Sequence, residues 1–215
     1  MNGGRALAAL AIMTAGILRA EIIDRMVITV GRQVITQSQL DEELRVTAFL
    51  NLVPIDTSIE AQRKAADRLV EQTLVNREME LSRYPEPTPD AVEKYRSQIV
   101  KQYGGEAAFQ AALKRDLLTP ATLNRHLVEQ LTVLRFLDYR FRPEVDVTDH
   151  DIADAYHLYV EEWKRTKPGP PPSLDRVRES LESQIYQGKI NGEFSRWMEE
   201  TRKQVPVNYL DSHLR

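Results

Sequence analysis

Four histidines, His126, His150, His157 and His213, are the side chains best suited to acid–base or metal chemistry in this 215-residue chain. His150 and His157 stand seven apart, so on a helix they share a face, with Asp154 between them. No H-E-x-x-H sequence puts two imidazoles and a general base on one helical turn. The histidines therefore read as solvated or capping residues, not as metal ligands. Serine and aspartate are present, but no G-x-S-x-G sequence supplies a nucleophile elbow. Neither G-x-x-x-x-G-K-[ST] nor G-x-G-x-x-G occurs to cradle a phosphate, and Gly104-Gly105 reads as a helix stop. The acidic run Asp41-Glu42-Glu43 reads as the solvated first turns of a helix. Cysteine is absent, which removes disulfides and thiol chemistry. The expectation is a protein without a catalytic site, metal or cofactor.

Composition describes an ordinary folded chain, with 42% hydrophobic and 28% charged residues, sized for one domain or one domain plus a small lobe. The net charge of −3 comes without any basic block, which argues against nucleic acid as a partner. Compartment is suggested by the first twenty residues. Arg5 precedes the mostly small and apolar stretch Ala6 to Leu18, and Leu18-Arg19-Ala20 ends on a small residue. That is the layout of a secretory signal cut near Ala20-Glu21, too short to span a bilayer. An exported protein with no stable membrane insertion is expected.

The elements that follow are mostly helical. Met26 to Val30 and Val34 to Thr36 are β-branched runs around Gly31-Arg32-Gln33, a strand–turn–strand pattern. Thr36 or Ser38 can cap a first helix with Leu40, Leu44 and Ala48 on one face. A second helix is predicted over about 59–83, with Ala65, Leu69, Leu74 or Val75, and Met79 buried. Thr88-Pro89 opens a third helix through Val92, Tyr95, Ile99 and Val100, and Gly104-Gly105 closes it. A fourth covers about 106–116. Thr119-Pro120 opens a fifth carrying Leu123, Leu127, Leu131, Leu134 and Leu137. Thr148 with Asp151 makes a capping-box start for a sixth over Ile152 to Trp163. The stiff connector Lys167 to Ser173 leads to a long seventh, from Leu174 to about Gln204. Val205 to Leu210 is the candidate third strand, because a two-stranded ribbon is not stable alone.

The order of these motifs resembles that of the SurA-type periplasmic chaperones, relatives of the parvulin-containing and trigger-factor-like chaperones. The opening is carried by Asp24, the strand Val27 to Val30, and Val34-Ile35-Thr36-Gln37-Ser38-Gln39-Leu40. The middle is carried by Thr88-Pro89, by Tyr103-Gly104-Gly105 with Phe109, Leu113 and Leu117, and by Thr119-Pro120. The last third is carried by Val147-Thr148-Asp149-His150-Asp151-Ile152, Tyr156, Val177-Arg178, Leu181, Ile185, Trp197, Val205 and Val207. The resemblance implies a multi-helix chaperone core in which residues 21–146 form the N-terminal region and residues 147–215 complete the same core. In longer relatives a parvulin prolyl isomerase domain lies between the sixth and seventh helices. Here Val160 to Pro172 is far too short for a domain of roughly 50 residues or more, so isomerase activity is expected to be absent.

By the same resemblance, the N-terminal helices and the last helix form a cradle for unfolded or extended polypeptide clients. Aromatic and Met side chains suit adaptable binding surfaces, which singles out Tyr103, Phe109, Tyr159, Trp163, Trp197 and Met198. Each also fits a simple core role at helical spacing. The functional expectation is an ATP-independent periplasmic holdase for exported and outer-membrane proteins. The alternative is a structural or assembly subunit, or a homodimer, that binds one fixed partner.

Overall fold

The computed structural model describes residues 24–215, and the expected export signal over 1–20 lies outside the described residues. Among the described residues the chain forms seven α-helices and one small antiparallel sheet. Strand β1 (Met26–Val30) turns through Gly31-Arg32 into β2 (Gln33–Thr36). Gln33, expected in the turn, instead opens β2 opposite Val30. Gly31 takes φ of +58° at the first turn position, a conformation that matches the twist of a two-residue hairpin and that L side chains adopt only with strain. The register between β1 and β2 shifts between Met26 and Ile28, and Val27 and Ile28 are both fully buried.

Strand β3 (Val207–Tyr209) supplies the third strand expected from the far end of the chain. It pairs antiparallel with the other edge of β1, so the order is β2-β1-β3. The Gly31 amide donates to the Pro206 carbonyl at 2.8 Å, and Asp211 pairs with Arg25. Both described ends of the chain therefore meet in the one sheet.

Helix α1 (Gln37–Asn51) follows β2 directly. Thr36 is its cap, accepting from the Gln39 amide, while the Gln39 side chain accepts from the Thr36 amide. Asp24 accepts from the Ser38 amide. The acidic run thus begins after the first turn, not within it. Helices α2 (Ile59–Ser82), α3 (Pro89–Gln102) and α5 (Pro120–Arg140) start on Ser58, Thr88 and Thr119, each accepting an amide hydrogen bond from within the first turn. Helix α4 (Glu106–Arg115) starts after Gly105, whose φ is +123°. Thr148 and Asp151 form the expected reciprocal cap of α6 (Asp149–Thr166), and Lys189 adds a 2.8 Å ion pair to Asp151.

Helix α7 (Leu174–Gln204) runs unbroken through Gly188 and Gly192. Its 31 residues span about 46 Å at 1.5 Å each. Its first half pairs with α6, and its second half reaches α2 and the sheet. Three apolar clusters result. One joins the sheet, α1, α2 and the end of α7 through Ile28, Leu40, Leu69, Met198 and Val205. The second joins the end of α1 to α3, α4 and α5 through Phe49, Ile99, Phe109 and Leu127. The third joins α2, α5 and the middle of α7 through Val75, Phe136, Phe141 and Ile190. Phe194 and Trp197 border both the first and the third.

These glycines give opposite expectations for the same change. A Cβ at Gly31 would stand 3.2 Å from Val205 Cγ1, at a positive φ. Gly31→Ala should therefore lower unfolding free energy by about 1–2 kcal/mol, read from urea denaturation. Nothing lies within 4 Å of a Cβ at Gly188. Gly188→Ala should raise stability by about 0.5–1 kcal/mol.

Candidate functional site

Four helices leave an open cleft of about 500 Å³ between them. α1 contributes Glu43, Thr47, Leu50 and Asn51, and α2 contributes Arg68, Glu71 and Gln72. α3 supplies Tyr95, and α5 supplies Gln130, Val133 and Leu134. Leu50, Val133 and Leu134 form the apolar wall. Leu134, expected on the buried face of α5, is instead 55% exposed, because at this turn the helix faces the cleft. Tyr95 donates from its hydroxyl to Gln130 Oε1 at 3.0 Å, tying α3 to α5 across one end.

A charged cluster lies under this cleft. Glu43 is only 5% exposed. Arg68 Nε donates to Glu43 Oε1 at 2.6 Å, Thr47 Oγ1 donates to the same oxygen at 3.2 Å, and Arg68 Nη2 donates to Thr47 at 2.9 Å. His126 is 3% exposed. Its Nε2 stands 2.9 Å from Glu42 Oε1 and its Nδ1 stands 3.4 Å from Glu43 Oε2 and 3.6 Å from Glu129 Oε2. Arg125 pairs with Glu42. Carboxylates face both ring nitrogens, so the doubly protonated imidazolium satisfies contacts that a neutral ring, with one donor, cannot.

The titration behaviour follows from these contacts. Burial works against the charged form of His126, yet the hydrogen bonds to Glu43 and Glu42 and the charge of Glu129 outweigh it and raise its pKa. Burial likewise pushes Glu42 and Glu43 upward, but hydrogen bonds from His126 and from their arginines bring both below the usual range. For Glu129, burial is the larger effect and leaves its carboxyl raised despite His126 and Arg125. Glu71, on the cleft wall, is also raised by burial, against the pull of Arg202 and Arg68. Among the described residues, no group of three or more His, Cys, Asp or Glu is arranged to hold a metal ion.

The six aromatic and Met residues singled out from sequence do not form one surface. Phe109 is 1% exposed and packs edge-on against Phe49, and Met198 is buried among the sheet-side residues. Trp197 packs 4.6 Å from the Phe136 ring, where two apolar clusters meet. These three are core, and a client cannot reach Phe109 or Met198. Tyr103 stacks on Phe49, donates its hydroxyl to the Phe49 carbonyl at 2.7 Å, and lines a separate pocket of about 440 Å³. Tyr159 and Trp163 lie together on α6, half-buried, with Lys167 over the Trp163 ring at 4.4 Å. None of the six lines the cleft between α1, α2, α3 and α5.

Two further readings need correction. Glu42 and Glu43 are not a solvated turn, because α2 and α5 cover them. His126 is not a solvated residue, since it is buried against Glu129 one turn on and against Glu42 and Glu43 from a helix 84 positions earlier. His150 and His157 are exposed, each beside a carboxylate one turn on, as expected of solvated residues. A sequence signal for the buried acid did exist. Leu40, Glu43, Leu44, Thr47 and Ala48 occupy one helical stripe, so Glu43 lies inside the apolar face. No family model matches the chain, and no curated protein matches it in sequence.

The cluster sets a pH window. A raised histidine pKa contributes stability in full below its unfolded value of about 6.5, and that contribution fades as pH rises through the folded value. The depressed Glu42 and Glu43 contribute above their unfolded value of about 4.3 and lose that contribution as pH falls through their folded values. The raised carboxyls of Glu129 and Glu71 contribute in full only below about 4.3 and lose that contribution as pH rises from there through their folded values. The stabilisation should therefore be greatest just above about pH 4.5 and fall further once pH exceeds about 6.5. His126→Gln should cost about 2 kcal/mol at pH 6 and clearly less at pH 9, as measured by denaturant titrations at both pH values.

Proposed function

We propose that the chain is an ATP-independent chaperone of the SurA kind, a holdase for unfolded or partly folded exported and outer-membrane proteins. The observation that carries this reading is the open cleft, with its apolar wall of Leu50, Val133 and Leu134 and its rim of amide, hydroxyl and charged groups. Such a groove suits an extended polypeptide. One apolar client side chain lies against the wall, while Asn51, Gln72 and Gln130 offer both donors and acceptors to the client backbone. Ordering the client costs conformational entropy, so binding is weak per contact and tolerant of sequence. The periplasmic address rests on the pattern of the first twenty residues. The connector between α6 and α7 runs only over 167–173, which supports a holdase without prolyl isomerase activity.

A second reading, a subunit that binds one fixed partner or a second copy of itself, is favoured by a different surface. Leu52, Val53 and Ile55 between α1 and α2, with Ile59 at the start of α2, are all at least 40% exposed and lie close in sequence, as in a protein–protein contact. Breadth of binding separates the two readings. Light scattering of two unrelated unfolded proteins, one an outer-membrane β-barrel, should show suppressed aggregation at near-stoichiometric chaperone. Suppression of neither would favour the fixed-partner reading. A proline-peptide isomerisation assay should show no turnover above the uncatalysed rate.

A further inference from the structure

The charge of the cleft lining is unbalanced. Two carboxylates, Glu43 and Glu71, line it against one guanidinium, Arg68. Arg68 is committed: its Nε donates to Glu43 and its Nη2 to Thr47. Glu43 takes up that donation and faces His126 behind it. Glu71 differs from both. Among the described residues no cation lies within 4 Å of its carboxylate, although the side chain is half-buried on the cleft wall. Arg202 and Arg68 act on it at longer range, opposed by the charge of Asp67; Arg202 leans towards Asp67 at 3.8 Å, and Tyr209 also donates to Asp67. Burial acts to keep Glu71 protonated more readily than a free carboxyl, and an incoming cation would relieve that cost. Val133 and Leu134 line the same cleft, Val133 half-buried against the core and Leu134 exposed.

We infer that the cleft selects polypeptide segments in which a lysine or arginine lies close to an apolar residue, with Glu71 as the counter-ion and Leu134 as the apolar contact. This rests on the cleft being the client site. The charge complementarity gives direction to binding that is otherwise tolerant: acidic segments meet an unneutralised carboxylate and are disfavoured.

Short fluorescent peptides that share their apolar residues and differ at one position, Lys, Gln or Glu, test this by anisotropy against the purified chain. The Lys peptide should bind roughly fivefold tighter than the Gln peptide, with the Glu peptide weakest. Glu71→Gln should bring the Lys and Gln peptides to near-equal affinity, and Glu71→Lys should reverse the order. A Lys preference that survives Glu71→Gln, or its absence in the unmodified chain, overturns the inference. Leu134→Ser, which removes the apolar contact without adding charge, separates this from the cleft reading itself. It should weaken all three peptides, and unchanged affinity for all three places the client elsewhere and overturns both.

Discussion

Glu43 is a carboxylate at 5% exposure, and an ion so placed costs several kcal/mol unless its partners come with it. Its partners come from two other helices. Arg68 on α2 closes one side and His126 on α5 closes the other, each at hydrogen-bonding or near-bonding distance. The spacing of α1, α2 and α5 is therefore set by the reach of a guanidinium and an imidazole. Purely apolar contacts would let the same helices close further. Polar groups of this length hold them apart, and the cleft above them is the space that results. Replacing such a cluster with well-packed apolar residues often preserves or improves stability, so the retained charges are better explained by the shape they impose.

The same reasoning shows why most of the fold is legible in the chain and the site is not. Caps are local, and their chemistry is written within four residues. Thr88, Thr119 and Thr148 each mark the start they were expected to mark, and Thr36, one of two candidates with Ser38, is the cap of α1. Proline after Thr88 and Thr119, and the glycine pair at 104–105, fix the ends with equal economy. The apolar faces of α1 and α2 also follow from spacing alone, because burial of a stripe needs no knowledge of what covers it. The third strand was legible for another reason: a lone hairpin demands one, and few β-branched runs remain.

The cleft is a non-local object. It depends on three stripes that each carry polar residues at core-facing positions: Glu43 and Thr47 on α1, Arg68 and Gln72 on α2, His126 and Gln130 on α5. Singly, each reads as a minor irregularity in an amphipathic helix. Together they form one polar seam, and nothing in the spacing of one helix reveals that the others match it. Aromatic side chains misled for the converse reason. Large rings serve binding surfaces and cores equally well, and Phe109 and Trp197 pack in cores here, as does the thioether of Met198.

The central position of β1 has a consequence for how the molecule comes into being. Its partner β3 comes from the end of the chain, and Thr29 bonds Asn208 across 179 positions. Helical pairs such as α6 and α7 can form as soon as both are made, whereas one edge of β1 has no native neighbour until Val207–Tyr209 has followed α7. Local pairing is fast and long-range closure is slow. The order of events is thereby built into the topology: helices first, sheet last. A chain made only as far as α7 would keep its first strand half paired, with one row of backbone amide and carbonyl groups unmatched.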